Sequence, residues 1–414
     1  MRIRSSFTST IRYIPLLLSF GYCFAQTPSS DPKTEPPSTP ILPEPTGRYQ
    51  LGTAIFHLVD STRIDFLAKS DTEFRELMIQ VWYPSEERNA LTRAPYISNF
   101  DMLQEMVENG YFFQNSSLIE SWRDVKTNAS LNAPLEQEMG HFPLVLFSHG
   151  LGVIRANYTS ILQDLSSHGY IVAAIDHPYG GLTVLPDGRM LSTSADSAIF
   201  NDDPDTVASR VSMWAEDASF VIDQLLSPKS VAGRYAHRID IGRIGMMGHS
   251  MGGAAALEAC LEDDRLKACV DLAGAPFGKV VEKGLGKPTL IVESQPVYSD
   301  EELESKGRTR EQWDQMGQEI RDMWRSVFSK ERSVPAYFVL IKGTGHLSFS
   351  DAPFVMPDTI TRFGGEIIDS TYGFEITMAC IRRFFSYYLK DETSQPLERL
   401  SKDYPEVSME VFGR

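Results

Sequence analysis

The stretch Arg243-Ile-Gly-Met-Met-Gly-His-Ser-Met-Gly-Gly-Ala-Ala-Ala-Leu-Glu-Ala-Cys-Leu261 decides the fold. It opens apolar, closes on helix formers, and holds Gly248-His249-Ser250-Met251-Gly252 between them. A serine with a glycine two residues to either side suits a sharp strand-to-helix turn, because side chains there would collide within it. The pentapeptide alone says little. With Gly and Ser each near 7% of residues, a chain this long yields one by chance roughly one time in seven. The flanks decide: Ile244–Met247 leads in as a strand, and Gly253–Leu261 leads out as a helix.

Outward from this turn, short apolar runs recur. Phe142–Phe147 ends at Ser148-His149-Gly150, and Tyr170–Ile175 ends at Asp176. Leu266–Asp271, Thr289–Val292 and Tyr337–Ile341 follow, and Leu77–Tyr83 precedes them, stopped by Pro84. Such runs fit strands buried on both faces. Amphipathic stripes lie between them: Val207, Val211, Trp214, Ala218, Val221, Leu225; then Trp313, Met316, Ile320, Met323, Val327; then Phe374, Met378, Ile381, Phe385, Tyr388. Strands alternating with helices imply an α/β domain, a mostly parallel sheet with helices on both faces. The count predicts eight strands in the α/β-hydrolase arrangement, with antiparallel edges from the segment before residue 84. Between Asn99 and Asn132 the pattern breaks, and Met102, Leu103, Met106, Tyr111, Phe112 and Phe113 read as a small helical cap, a lipid-facing patch or ordinary core packing.

The predicted organisation is a signal peptide over 1–25, a disordered Pro-rich linker over 26–47, a catalytic domain over 48–395 and a tail over 396–414. Arg2, Arg4 and Arg12 precede an apolar run too short to span a bilayer, and Ala25 offers a small-residue cleavage site. The 414 residues are 42% hydrophobic and 23% charged, enough for a sizeable core, with a net charge of −16. Cleavage would remove three arginines and no acid, making it −19. That argues against nucleic acid and anionic membranes, and leaves peripheral contact with a neutral lipid surface open. The expected location is secreted or extracytoplasmic. Cys260, Cys269 and Cys380 match no metal-site spacing and read as buried thiols, or as one pair plus one.

Serine chemistry needs a base, and the base needs an acid to orient it. In this fold the order is Ser, acid, His. Of eight histidines only His346 follows Ser250, in the glycine-rich Lys342-Gly-Thr-Gly-His346. Two carboxylates end strands after Ser250, Asp271 and Glu293, and position does not separate them. The oxyanion needs two backbone N–H donors: Met251, after the nucleophile, and Leu151, within Ser148-His149-Gly150-Leu151-Gly152. His149 reads as a structural hydrogen bonder in that loop. No metal or cofactor motif is present.

Together, Phe142–Gly152, Leu165–His177, Gly248–Gly253 and Gly345-His346 through Phe349 and Asp351 resemble the secreted and cytosolic type II platelet-activating factor acetylhydrolases. The resemblance spans roughly residues 75–390. It implies that Asp271 is the acid, that Leu151 and Met251 are the oxyanion donors, and that short or oxidised sn-2 acyl chains of phospholipids are cut without metal or calcium. Met251 stands where the mammalian enzymes usually carry Phe, and Asp176–Gly181 and the Pro-rich linker also depart from them. Rival readings are a cutinase-like polyester hydrolase or general carboxylesterase, and a catalytically inactive hydrolase-fold binding protein. The first expects an aspartate near Val292-Glu293-Ser294-Gln295, which has none.

Overall fold

Every residue of Phe142–Ser148 is buried, and alternate side chains enter two different cores. Val145 and Phe147 enter one, Leu144 and Leu146 the other. The strand is therefore apolar on both faces and shows no polar alternation. The computed structural model describes residues 39–413 except 66, 69–71, 87–92, 109–118, 138–139, 193–203, 331–333, 358–364 and 366–367. The segment read as a signal, and residues 26–38 of the linker, lie outside the described residues.

The strands are β1 (Gln50–Ile64), β2 (Phe74–Ser85), β3 (Arg93–Pro95), β4 (Lys126–Leu131), β5 (Phe142–Ser148), β6 (Ile171–Asp176), β7 (Leu182–Val184), β8 (Met190–Ser192), β9 (Ile239–His249), β10 (Leu266–Leu272), β11 (Thr289–Gln295), β12 (Ala336–Lys342) and β13 (Val407–Phe412). One sheet runs β13-β12-β11-β10-β9-β5-β6-β2-β1-β4-β3, while β7 and β8 pair separately. It thus has eleven strands, not the eight expected. The extra three are β3 and β13, at the two ends of the sheet, and β4 beside β3; β3 and β4 carry few apolar residues, whereas Val407, Met409 and Val411 of β13 alternate toward a core. The last of them comes from the segment read as a tail, which pairs antiparallel with β12. From β6 to β12 all neighbours are parallel, and β2 runs antiparallel to both β6 and β1.

Among the described residues, six helices of nine residues or more cover the sheet: α1 (Phe100–Glu108), α2 (Thr159–Ser167), α3 (Pro204–Leu226), α4 (Met251–Glu262), α5 (Arg310–Phe328) and α6 (Ser370–Lys390). Side chains of α3, α4 and α5 fill one core; those of α2 and α6 fill the other. Leu103 of α1 is buried with Trp122 and Phe349, and the Trp122 indole N–H donates to Val355 O at 3.1 Å. This segment therefore packs on the loop that follows His346. Tyr111, Phe112, Phe113 and the Met106 side chain lie outside the described residues.

Residues 39–47, the end of the linker, lie on the domain: Leu42 enters the core and Thr46 Oγ1 donates to Asp164 at 2.8 Å. Cys260 and Cys269 form a disulfide joining α4 to β10, and Cys380 is a buried free thiol. Among the described residues no helix is long and apolar enough to cross a membrane, and no His/Cys/Asp/Glu group could hold a metal.

Candidate active site

β9 ends at His249 and α4 begins at Met251, which leaves Ser250 alone on the turn. Its φ of 56° and ψ of −124° are rarely adopted by a residue with a side chain. The surroundings hold it there. Ser250 N–H donates to Leu272 O at 2.8 Å, and Ser250 O accepts from Gly253 and Ala254 at 2.9 and 3.2 Å. The flanking glycines are steric necessities: a Cβ on Gly248 would stand 2.1 Å from Gly252 O, and one on Gly252 2.2 Å from Ser148 O.

Asp271 sits near the end of β10, in register with Gly248 on β9, and is fully buried. A Cβ on Gly274 would meet Asp271 Oδ1 at 2.3 Å and Ser250 O at 2.7 Å, so carboxylate and turn adjoin. Gly274 N–H donates to Oδ1 at 2.7 Å, while Oδ2 has no hydrogen-bond partner among the described residues. Burial pushes this carboxyl up to about 8, with the Gly274 N–H acting against it. Glu293 lies two positions beyond Ile291, the residue opposite Asp271, and therefore shares its face of the sheet. Burial, then the charge of Asp271, hold Glu293 well above the usual carboxylate range, the Trp324 indole working the other way.

His346 opens a short helical turn beyond β12 and is buried. Burial lowers its imidazole to about 4, so near neutral pH the ring is uncharged and able to take a proton. It lies beside the turn: its ring centroid is 4.5 Å from that of His249, whose Nε2–H donates to His346 O at 3.0 Å. The β5 loop comes in from the other side, where a Cβ on Gly150 would be 3.4 Å from Ser250 Cβ. Leu151 and Met251 share a small apolar cluster with Val211 and Trp214. Among the described residues, no acceptor takes the N–H of either one. Strand ends thus bring Ser250, Asp271, His346, Leu151 and Met251 to one edge of the sheet.

Behind the β5 loop stands a second Asp–His–Ser group. His177 Nδ1–H donates to Asp217 Oδ2 at 2.8 Å, and Ser148 Oγ–H donates to His177 Nε2 at 2.7 Å, all three fully buried. Arg75 grips Asp217 twice, at 3.1 and 2.7 Å, and Arg63 adds a contact at 2.9 Å. Burial alone would raise the Asp217 carboxyl, yet Arg75 and His177 hold it well below the usual range. His177 stacks on Trp214 at 4.3 Å and gives its backbone N–H to His149 Nε2 at 3.1 Å. His149 Nδ1–H donates to Gly150 O at 2.7 Å. Burial, then the neighbouring His177, lowers His149 to about 3, so both rings stay neutral. Arg75, His177 and Asp217 were not anticipated as a group, because they come from β2, β6 and α3. The pairing of His149 and His177 with strand ends was the available signal.

Comparison with known proteins follows the same outline. The family model described as platelet-activating factor acetylhydrolase, isoform II, matches residues 38–179 and 223–399. A protein from Arthroderma benhamiae named probable 1-alkyl-2-acetylglycerophosphocholine esterase is 26% identical over 90% of this chain and 94% of its own. The platelet-activating factor acetylhydrolase of Cavia porcellus is 26% identical over 67% of this chain and 64% of its own. Among solved structures, a ferulic acid esterase from Streptomyces cinnamoneus superposes with a TM-score of 0.71 at 28% identity, covering 90% of this chain and 99% of its own.

Proposed function

The chain belongs to the platelet-activating factor acetylhydrolase, isoform II, family and is an ester hydrolase, and from that premise we propose that it removes short or oxidised sn-2 acyl chains from phospholipids through an acyl-enzyme on Ser250. In this reading Ser250 Oγ attacks the ester carbonyl while His346 takes its proton, with Asp271 holding the imidazole. The N–H groups of Leu151 and Met251 receive the oxyanion of the tetrahedral intermediate. The alkoxide leaves as the alcohol, protonated by His346. Water activated by the same imidazole then attacks the acyl-enzyme, releasing the acid and Ser250.

One observation carries the chemistry: Ser250 is held at φ 56° on the turn, beside two N–H donors without acceptors. Asp271 is favoured over Glu293 because it adjoins the Ser250 backbone and keeps one oxygen free for an imidazole N–H. The substrate class rests on the family and on the names of the relatives. Export rests on the N-terminal pattern and on the Cys260–Cys269 disulfide, which fits an oxidising compartment.

A panel tests the reading. The full chain is assayed on sn-2 acetyl, oxidised and long-chain phosphatidylcholines, a feruloyl ester and a polyester film. The expected result is kcat/KM higher by roughly tenfold or more on the sn-2 acetyl and oxidised lipids than on the rest, since pocket fit to a few methylenes is worth about 1–3 kcal/mol. A preference for the feruloyl ester would favour a general carboxylesterase, after the structural neighbour.

A further inference from the structure

His249, the residue before the proposed nucleophile, is tied on both sides. Its Nε2 faces the carbonyl of His346 at 3.0 Å, and a carbonyl can only accept. Nε2 therefore carries a hydrogen. The ring is 2% exposed, and burial, then the neighbouring His346, holds it well below the usual imidazole range, so it is neutral and Nδ1 is bare. A bare Nδ1 accepts, and the group it faces at 2.7 Å is the Tyr158 hydroxyl, which must then donate. The same hydroxyl oxygen accepts the Gly150 N–H at 3.1 Å. Each proton has one place, and the chain runs in one direction: Gly150 N–H to Tyr158, Tyr158 O–H to His249, His249 N–H to His346. It starts in the loop that bears Leu151 and ends on the backbone of the proposed base.

We propose that Tyr158 and His249 are positioning residues: this one-way hydrogen-bonded chain fixes the β5 oxyanion loop and the His346 backbone relative to each other across Ser250. Neither side chain is assigned contact with the ester; both act through the groups they hold. All four residues along the chain are buried, so no water competes for the bonds, and an unmade one would leave a buried donor or acceptor bare. A base displaced by about 1 Å can lose on the order of 100-fold in rate. The inference rests on the reading of Ser250 and His346 given above.

The substitutions His249→Gln, His249→Leu and Tyr158→Phe separate positioning from packing. Glutamine can place an N–H where Nε2 stood; leucine cannot. The readouts are kcat and KM on an sn-2 acetyl phosphatidylcholine, and the rate at which a fluorophosphonate labels Ser250 in folded protein. His249→Leu is expected to lower kcat and labelling by on the order of 100-fold with KM nearly unchanged, and His249→Gln to recover most of that. Tyr158→Phe, close in shape and lacking only the hydroxyl, is expected to cost roughly tenfold in both. It should also leave the His249 ring in the Nε2–H tautomer, held by the His346 carbonyl, while shifting the 15N resonance of its bare Nδ1, which loses the Tyr158 hydrogen bond. If Tyr158→Phe lowers only the melting temperature and folded protein is labelled at the wild-type rate, the chain is packing and the proposal fails. If wild-type protein is not labelled at Ser250 at all, it is the underlying reading that fails.

Discussion

The Ser148–His177–Asp217 group and the Ser250–His346–Asp271 group use the same three residue types, with their serines at the ends of the neighbouring strands β5 and β9. They differ in completeness. In the first, serine, imidazole and carboxylate are joined at 2.7 and 2.8 Å, the carboxylate is gripped by Arg75, and nothing is exposed. In the second, the serine sits in a strained backbone conformation and the carboxylate leaves Oδ2 without a partner. A finished network has no capacity left for a reacting ester, whereas strain and unmet hydrogen bonds concentrate where chemistry is done. On the proposed reading, good Asp–His–Ser geometry is a poor guide to the nucleophile. Unspent capacity is the better one.

The sharpest way to break that contrast is to remove each serine in turn. Ser250→Ala is expected to lower kcat by roughly 10^4- to 10^6-fold. Ser148→Ala should stay within about tenfold and cost about 1–3 kcal/mol of stability, because the buried His177 Nε2 is left without a donor. Fluorophosphonate should mark Ser250 alone; an adduct on Ser148 would invert the assignment. The acids give the next largest effect. Asp271→Asn should lower kcat by about 10^3- to 10^4-fold, the order seen when an imidazole loses its orienting carboxylate. Glu293→Gln should change it less than about tenfold. Steady-state kinetics decide, and the reverse outcome would move the acid to β11.

What could be read beforehand follows from where the information sits in the chain. The turn at Ser250 was legible because its strand, glycines and helix are contiguous, and the strand-to-helix transition fixes the backbone locally. The six parallel strands were legible because burial on both faces leaves runs such as Leu144–Phe147 wholly apolar. β3 and β4 were not: Lys126-Thr-Asn-Ala-Ser-Leu131 is held by backbone pairing with β1 and β3, which leaves no hydrophobic period to detect. β13 does alternate, with Val407, Met409 and Val411 toward the core, but it lies beyond the last helical stripe in the segment read as a tail. The supporting polar groups were hidden for another reason. Arg75, His177 and Asp217 are separated by up to 142 residues and meet only when β2, β6 and α3 pack. Tyr158 carries no motif; its role is set by facing His249 across the turn.

Stability provides the smallest and most discriminating pair of effects, since the two aspartates should move it in opposite directions. Asp217 is held in its charged form, so Asp217→Asn leaves the Arg75 guanidinium buried without its principal counter-charge. The expected loss is about 3–5 kcal/mol. A carboxyl held below its unfolded value contributes its full stability once the pH exceeds that value, near 4, so this loss should be the same at pH 5 and pH 8. Asp271 is held the other way, up to about 8. Its folded form favours the proton, so its contribution is present at low pH and is lost as the pH rises toward 8. Asp271→Asn removes that penalty. The variant should therefore match the wild type near pH 4, and exceed it by roughly 1–3 kcal/mol at pH 8, the cost of a buried group lacking its partner. Urea midpoints at pH 5 and 8 measure both. If Asp271→Asn instead loses stability at pH 8, the carboxylate already holds the His346 imidazole in the resting protein, and the difference between the two groups lies in backbone strain alone.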